Sequence, residues 1–119
     1  MKILILNGPN LNLQGRRDTG VYGTQTFETF FERLRSLYPA VGFGYFQSNI
    51  EGELIDAVQQ ADGVYDGVVL NAGGYTHTSV ALRDAVSAYV AAMQDFKRRF
   101  NKKNFRLAMG AELGYLKSA

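Results

Sequence analysis

Three short apolar segments, each stopping at a cluster of amides, constrain this chain more than any other feature. They are KILILN at residues 2–7, FGYFQSN at 43–49 and DGVVLNAGG at 66–74. A short run that is apolar throughout, rather than alternating, is how a strand covered on both faces reads, as in a parallel sheet. Helical periodicity fills the gaps. Phe27, Phe30, Phe31, Leu34 and Leu37 share one helical face behind Thr26 as candidate N-cap. Leu54, Ile55 and Val58 mark a shorter helix, with Asn49 as candidate cap and Gly63 as stop. A third helix starts near Ser79 and runs through Val80, Leu82, Val86, Val90 and Met93. Strand and helix in alternation predict a doubly wound parallel α/β sheet. Past Met93 no segment reads as a strand, and FKRRFNKKNFRLAM reads as a basic helix. The expected sheet therefore holds three strands, with the third left as an exposed edge.

Length agrees with a single domain over residues 1–119. The longest apolar runs fall far short of the ~20 residues of a membrane span, so no membrane is expected, and without a leader pattern the expected location is cytoplasmic. The absence of cysteine excludes a disulfide framework and thiolate metal sites. A single histidine, His77, excludes a multi-histidine metal site within one chain. Carboxylate-bound magnesium stays open, although no acidic cluster suggests it. Charge divides the chain: residues 1–96 carry a net −4 and residues 97–119 a net +6. The last fifth is thus a separate, basic stretch.

In open parallel sheets ligands bind outside the carboxyl ends of the strands. Those ends are Asn7-Gly8-Pro9-Asn10, Gln47-Ser48-Asn49 and Asn71-Ala72-Gly73-Gly74. Side-chain amides and unhindered backbone N–H groups there suit a polar, hydroxylated or anionic small molecule. The competing reading is that Asn and Gly merely end strands and make turns. The loop at 8–23 holds Arg16, Arg17 and Tyr22, and a guanidinium beside a phenol favours the phenolate, a usable base. By spacing alone, solvated loop charges are the better account. His77 could donate to a substrate hydroxyl or carboxylate, or serve as a cap. Ser79 lacks the Gly-x-Ser-x-Gly elbow of a serine hydrolase, and the glycine turns match neither a P-loop nor a dinucleotide fingerprint.

The stretches KILILNGPNLNLQGRRDTGVYG, YFQSNIEGELID and DGVVLNAGGYTHTSVALRDA, in that order over roughly the first 85 residues, resemble the type II 3-dehydroquinate dehydratases. The resemblance implies a flavodoxin-like fold, a homo-oligomer built from trimers up to a dodecamer, and no cofactor. It implies loss of water from 3-dehydroquinate through an enolate, giving 3-dehydroshikimate. Carried over by position, Tyr22 removes the C2 proton and Arg17 holds it ionised. Asn10 stabilises the enolate, Asn71 and His77 bind the substrate, and Asp84 approaches a neighbouring subunit's site. NFRLAM more weakly resembles the family's closing helix.

The likeness then stops. The family continues with a strand ending in His-Ile-Ser-Asn, whose histidine protonates the departing hydroxyl, and with a further glycine-rich strand. Residues 86–119 carry no such motif and no second histidine. The fold is therefore expected to be shortened at its C-terminal side, and activity to be reduced or lost. The alternative is a non-enzymatic binding protein, since six Lys/Arg lie within residues 97–106 among Phe96, Phe100 and Phe105. A helix with one solvated basic face and one apolar face explains those residues better, and nucleic acid is not the expected partner.

Overall fold

The computed structural model describes residues 1–16, 20, 23–100, 106–109 and 115–117, with side chains through residue 95. Its sheet contains β1 (Lys2–Asn7), β2 (Gly42–Gln47), β3 (Gly67–Asn71), β4 (Arg106–Met109) and β5 (Tyr115–Lys117). The helices are α1 (Phe27–Leu37), α2 (Glu51–Gln60), the single turn α3 (Tyr75–Thr78) and α4 (Val80–Phe100). Strand order is β2-β1-β3-β4-β5, parallel except for β5. That is the flavodoxin-like order, with the switch between β1 and β3.

Register assigns the two faces. Leu4 and Leu6 lie beside Val68 and Leu70, and these four are buried with Leu54, Val58, Leu82, Val86, Tyr89 and Met93. One sheet face thus packs on α2 and α4. Seven of its Leu and Val side chains are fully buried, each worth about 1.5–3 kcal/mol of transfer. The opposite face carries Ile3, Ile5, Phe43 and Tyr45 under α1. There the Phe27 ring stacks on Tyr45 with centroids 4.6 Å apart, and Phe31 meets Phe43 edge-on at 6.3 Å. α1 buries no residue fully, and Val69 on the same face stays 46% exposed. Among the described residues this side of the sheet is only partly covered.

β1, β2, β3 and α1 lie where periodicity put them, with β2 ending two residues before the expected Asn49. Thr26 caps α1, its hydroxyl accepting from the Thr29 N–H at 3.2 Å. α4 begins at Val80, where the sequence put the third helix: the Ser79 hydroxyl accepts from Leu82 N–H at 2.9 Å, and Val80 itself is 67% exposed. Other expectations are corrected. Asn49 does not cap α2: Ile50 holds that position without a side-chain bond, and the Ser48 hydroxyl takes the Ile50 N–H instead. Residues 106–109 are a strand, so neither the three-strand sheet nor a wholly helical 86–119 segment stands, and NFRLAM does not close the fold as a helix. β3 is not an edge either, because β4 pairs with it from Val68 to Leu70. The apolar part of RLAM is too short for periodicity to separate strand from helix, and pairing gives the polar backbone of β3 its partners.

Candidate active site

The parallel strands β2, β1 and β3 end in one row of amides. Asn7 stands beside Gln47 on one side and Asn71 on the other. In-register neighbours of a parallel sheet share a face, so the three side chains emerge about 4.8 Å apart from strand to strand. Asn7 is buried and bonds the Tyr45 phenol. Burial pushes the Tyr45 pKa up, the Asn7 bond pulls it partly back, and the nearby Glu28 carboxylate pushes it further up. Tyr45 therefore stays a neutral phenol and is no base.

Beyond that row the loops are fastened to one another. Gly8 N–H donates to the Asn71 carbonyl at 2.7 Å. A Cβ on Gly8 would lie 2.5 Å from the Ala72 carbonyl oxygen, so only glycine permits this approach. Gly73, at φ +59°, folds back over Pro9, and its N–H donates to Asn71 Oδ1 at 3.1 Å. Asn10 lies in the left-handed region at φ +70°. Its N–H donates to Asn49 Oδ1 at 3.0 Å, and its carbonyl accepts from Leu13 N–H at 3.1 Å. Gln47 Nε2 reaches the Gly8 carbonyl at 3.2 Å and Asn49 Oδ1 at 3.2 Å. Three acceptors, Asn12 Oδ1 at 3.5 Å included, surround that one atom, which identifies it as the amide nitrogen.

His77 sits on α3, exposed at the same end of the sheet. It borders a cavity of about 60 Å³ together with Thr76, Ser79 and Arg83. That is room for a water or two rather than a ring-sized ligand. Asn10, Asn71 and His77 are thus brought to one edge. Asp84 is exposed in the second turn of α4, past the cavity. Tyr22 and Arg17 lie outside the described residues. A larger groove of about 510 Å³ runs along β2 and α2, lined by Phe46, Glu53, Asp56, Val64 and Tyr65 among others. Among the described residues two carboxylates and no basic side chain line it, a lining that disfavours an anionic substrate. Among the described residues no group of His, Asp and Glu is placed to hold a metal ion, and no helix is long and apolar enough to cross a membrane.

The residues missed from sequence are Gln47, Asn49 and Tyr75. The first two stand in an amide-rich strand end, and Tyr75 is one of four hydroxyl-bearing residues around His77, with Thr76, Thr78 and Ser79. What sequence cannot show is the bond from Tyr75 OH to the Asn49 carbonyl, 2.8 Å long and 26 residues apart.

A family model described as Dehydroquinase class II matches residues 1–96. The chain is 52% identical over 88 residues to a 3-dehydroquinate dehydratase of Prochlorococcus marinus (strain NATL1A), covering 72% of this chain and 61% of that protein. A second enzyme of that name, from Campylobacter jejuni subsp. jejuni serotype O:23/36, is 47% identical over 90 residues, covering 74% and 57%. The crystal structure of the type II dehydroquinase from Butyrivibrio crossotus superposes with a TM-score of 0.71 at 40% identity, covering 75% of this chain and 63% of that one. That from Propionibacterium acnes gives 0.66 at 29%, covering 77% and 62%. The chain spans about three fifths of the length of these relatives.

Proposed function

This chain belongs to the class II dehydroquinase family, and from that premise we propose that it binds 3-dehydroquinate and carries the proton-abstracting half of its dehydration. The supporting observation is the shared edge: Asn10, Asn71 and His77 converge there on loops fastened by the Gly8–Asn71 bond. Preorganised donors of this kind are what a developing enolate needs, because they meet the charge without reorganising. In this reading Tyr22, ionised by Arg17, removes the C2 proton, Asn10 stabilises the enolate oxygen, and Asn71 and His77 hold the ring. Asp84 reaches a neighbouring subunit of a homo-oligomer.

For the second half of the reaction, the family's general-acid histidine has no counterpart in residues 86–119. The departing hydroxyl must leave with a proton, and the chain's one histidine is already committed to binding. Arginine stays protonated near neutrality and cannot act as the acid. General acid catalysis is worth ~10²–10⁴-fold, so turnover falls by at least that factor.

The test is direct. Purified chain is incubated with 3-dehydroquinate while the enone absorbance of the product is followed, beside a Tyr22→Phe control and a thermal-shift titration. Slow turnover abolished by Tyr22→Phe, or thermal stabilisation without turnover, is expected. Turnover at rates typical of full enzymes would refute the role of the missing acid. Turnover surviving Tyr22→Phe would refute the base, and no stabilisation with no turnover would refute the site.

A further inference from the structure

We propose that Asn49 is the positioning residue that sets Asn10 against the substrate, a role resting on the reading of Asn10 as a substrate contact. Asn10 is the one non-glycine with positive φ among the described residues. Such a conformation costs energy for a side chain with a Cβ, so it persists only where neighbours hold it. Its carbonyl is tied within its own turn, to Leu13 N–H. Its N–H goes outside the turn, to Asn49 Oδ1. The bond across to the loop that follows β2 is therefore what orients the start of this turn relative to the sheet.

Asn49 is itself held from two sides. Its Oδ1 accepts a second bond from Gln47 Nε2 at 3.2 Å, and two donors converging on one atom identify it as the oxygen. Its backbone carbonyl accepts from Tyr75 OH at 2.8 Å. Tyr75 lies two residues from His77 on α3, so one residue joins the Asn10 loop, the end of β2 and the loop carrying His77. All three residues around this clasp expose part of their surface to water. Its hydrogen bonds then add little to global stability, and what they supply is placement, to which reactions are far more sensitive.

The experiment uses the isotopically labelled full chain with Asn49→Ala, Asn49→Asp and Tyr75→Phe. Backbone amide exchange is read at Asn10, Leu6 and Leu70, and the Asn10 side-chain amide is followed while 3-dehydroquinate is added. Asn49→Ala should speed exchange at Asn10 by ~10-fold, the equivalent of one lost bond. Exchange at Leu6 and Leu70 should not change, and the dissociation constant should rise by a similar factor. Asn49→Asp keeps the acceptor and should recover most of the protection at Asn10, while its charge, close to an anionic ligand, leaves affinity reduced; Tyr75→Phe should fall between in exchange. Unchanged exchange at Asn10 in Asn49→Ala would overturn the proposal. So would an equal loss at Leu6 and Leu70, which would make Asn49 a support of the whole fold, and so would failure of Asn49→Asp to recover the protection at Asn10. If 3-dehydroquinate leaves Asn10 unmoved in the parent chain, the substrate reading fails, while the exchange data still decide what Asn49 holds.

Discussion

Gly8 and Asn71 meet backbone to backbone, N–H to carbonyl at 2.7 Å, one residue beyond the last paired row of β1 and β3. The two strands thus stay joined as their loops turn outward. The loop bearing Asn10 and the loop bearing His77 leave the sheet from one fixed point. The site depends on this junction more than on any side chain, because it sets where both loops begin.

Gly8→Ala should break it. The new Cβ would fall 2.5 Å from the Ala72 oxygen and 2.7 Å from the Ala72 carbonyl carbon, both backbone atoms that no rotamer change can clear. Overpacking of this kind costs about 1–3 kcal/mol, or several degrees of Tm in a domain of this size. Thermal unfolding and a 3-dehydroquinate titration check it: a lower Tm with weakened binding is expected. An unaltered Tm would mean that the strand ends part without penalty.

Asn71 has two jobs that one substitution separates. Its Oδ1 accepts from Gly73 N–H, and its amide nitrogen is the donor proposed for substrate. Asn71→Asp keeps the acceptor and loses the donor, adding a negative charge at an exposed position facing an anionic ligand. Stability should match the parent while affinity at pH 7 falls by ~10-fold or more, the value of a hydrogen bond to a charged group. Asn71→Ala should instead lose about 0.5–1.5 kcal/mol of stability as well. Equal affinity in Asn71→Asp would remove Asn71 from the binding site.

The parts legible in the sequence were those governed by local physics. β1 and β3 were readable because Ile3 to Leu6 and Val68 to Leu70 are unbroken apolar runs. α1 was readable because its five aromatic and leucine positions keep helical spacing behind a threonine cap. Asn49 shows the limit. An asparagine just before a helix is a good cap by local rules, yet its amide serves Asn10, 39 residues away. β4 failed for a related reason: four residues among basic neighbours carry no period, and only the waiting edge of β3 makes them a strand. That Asn10, Asn71 and His77 lie at one end of the sheet follows from the rule about strand ends. The roles of Tyr22 and Arg17 rest on family resemblance, and both lie outside the described residues.

Two contacts on α1 look similar and should differ in worth. Thr26→Ala removes the acceptor for Thr29 N–H, and loss of such a cap costs about 1 kcal/mol. The Glu32–Arg35 pair spans 3.5 Å between side chains 71% and 58% exposed. Solvent screening reduces it to almost nothing. Denaturant unfolding should therefore show a lowered midpoint for Thr26→Ala and none for Glu32→Gln. A larger loss in Glu32→Gln would show that the pair is not screened as its exposure requires.

Tyr89 should make the fold sensitive to alkali. Its side chain is buried on α4, and the hydroxyl has no hydrogen-bond partner among the described residues. Burial, with the carboxylates of Asp62 and Asp66 adding to it, pushes the pKa up from 10 to about 12. Between those values the unfolded chain releases the phenolic proton while the folded chain keeps it. The unfolded state then binds fewer protons, so unfolding free energy falls as pH rises through that window. Below pH 10 the contribution is fully present. Tyr89→Phe removes the titrating group and the unsatisfied hydroxyl together, and replacing a polar group that lacks a partner is close to neutral or stabilising. Urea unfolding at pH 7 and at pH 11 should give the variant a midpoint at least equal to the parent's at the lower pH. At the higher pH its advantage should widen. A constant difference at both values would place the Tyr89 proton outside the folding equilibrium.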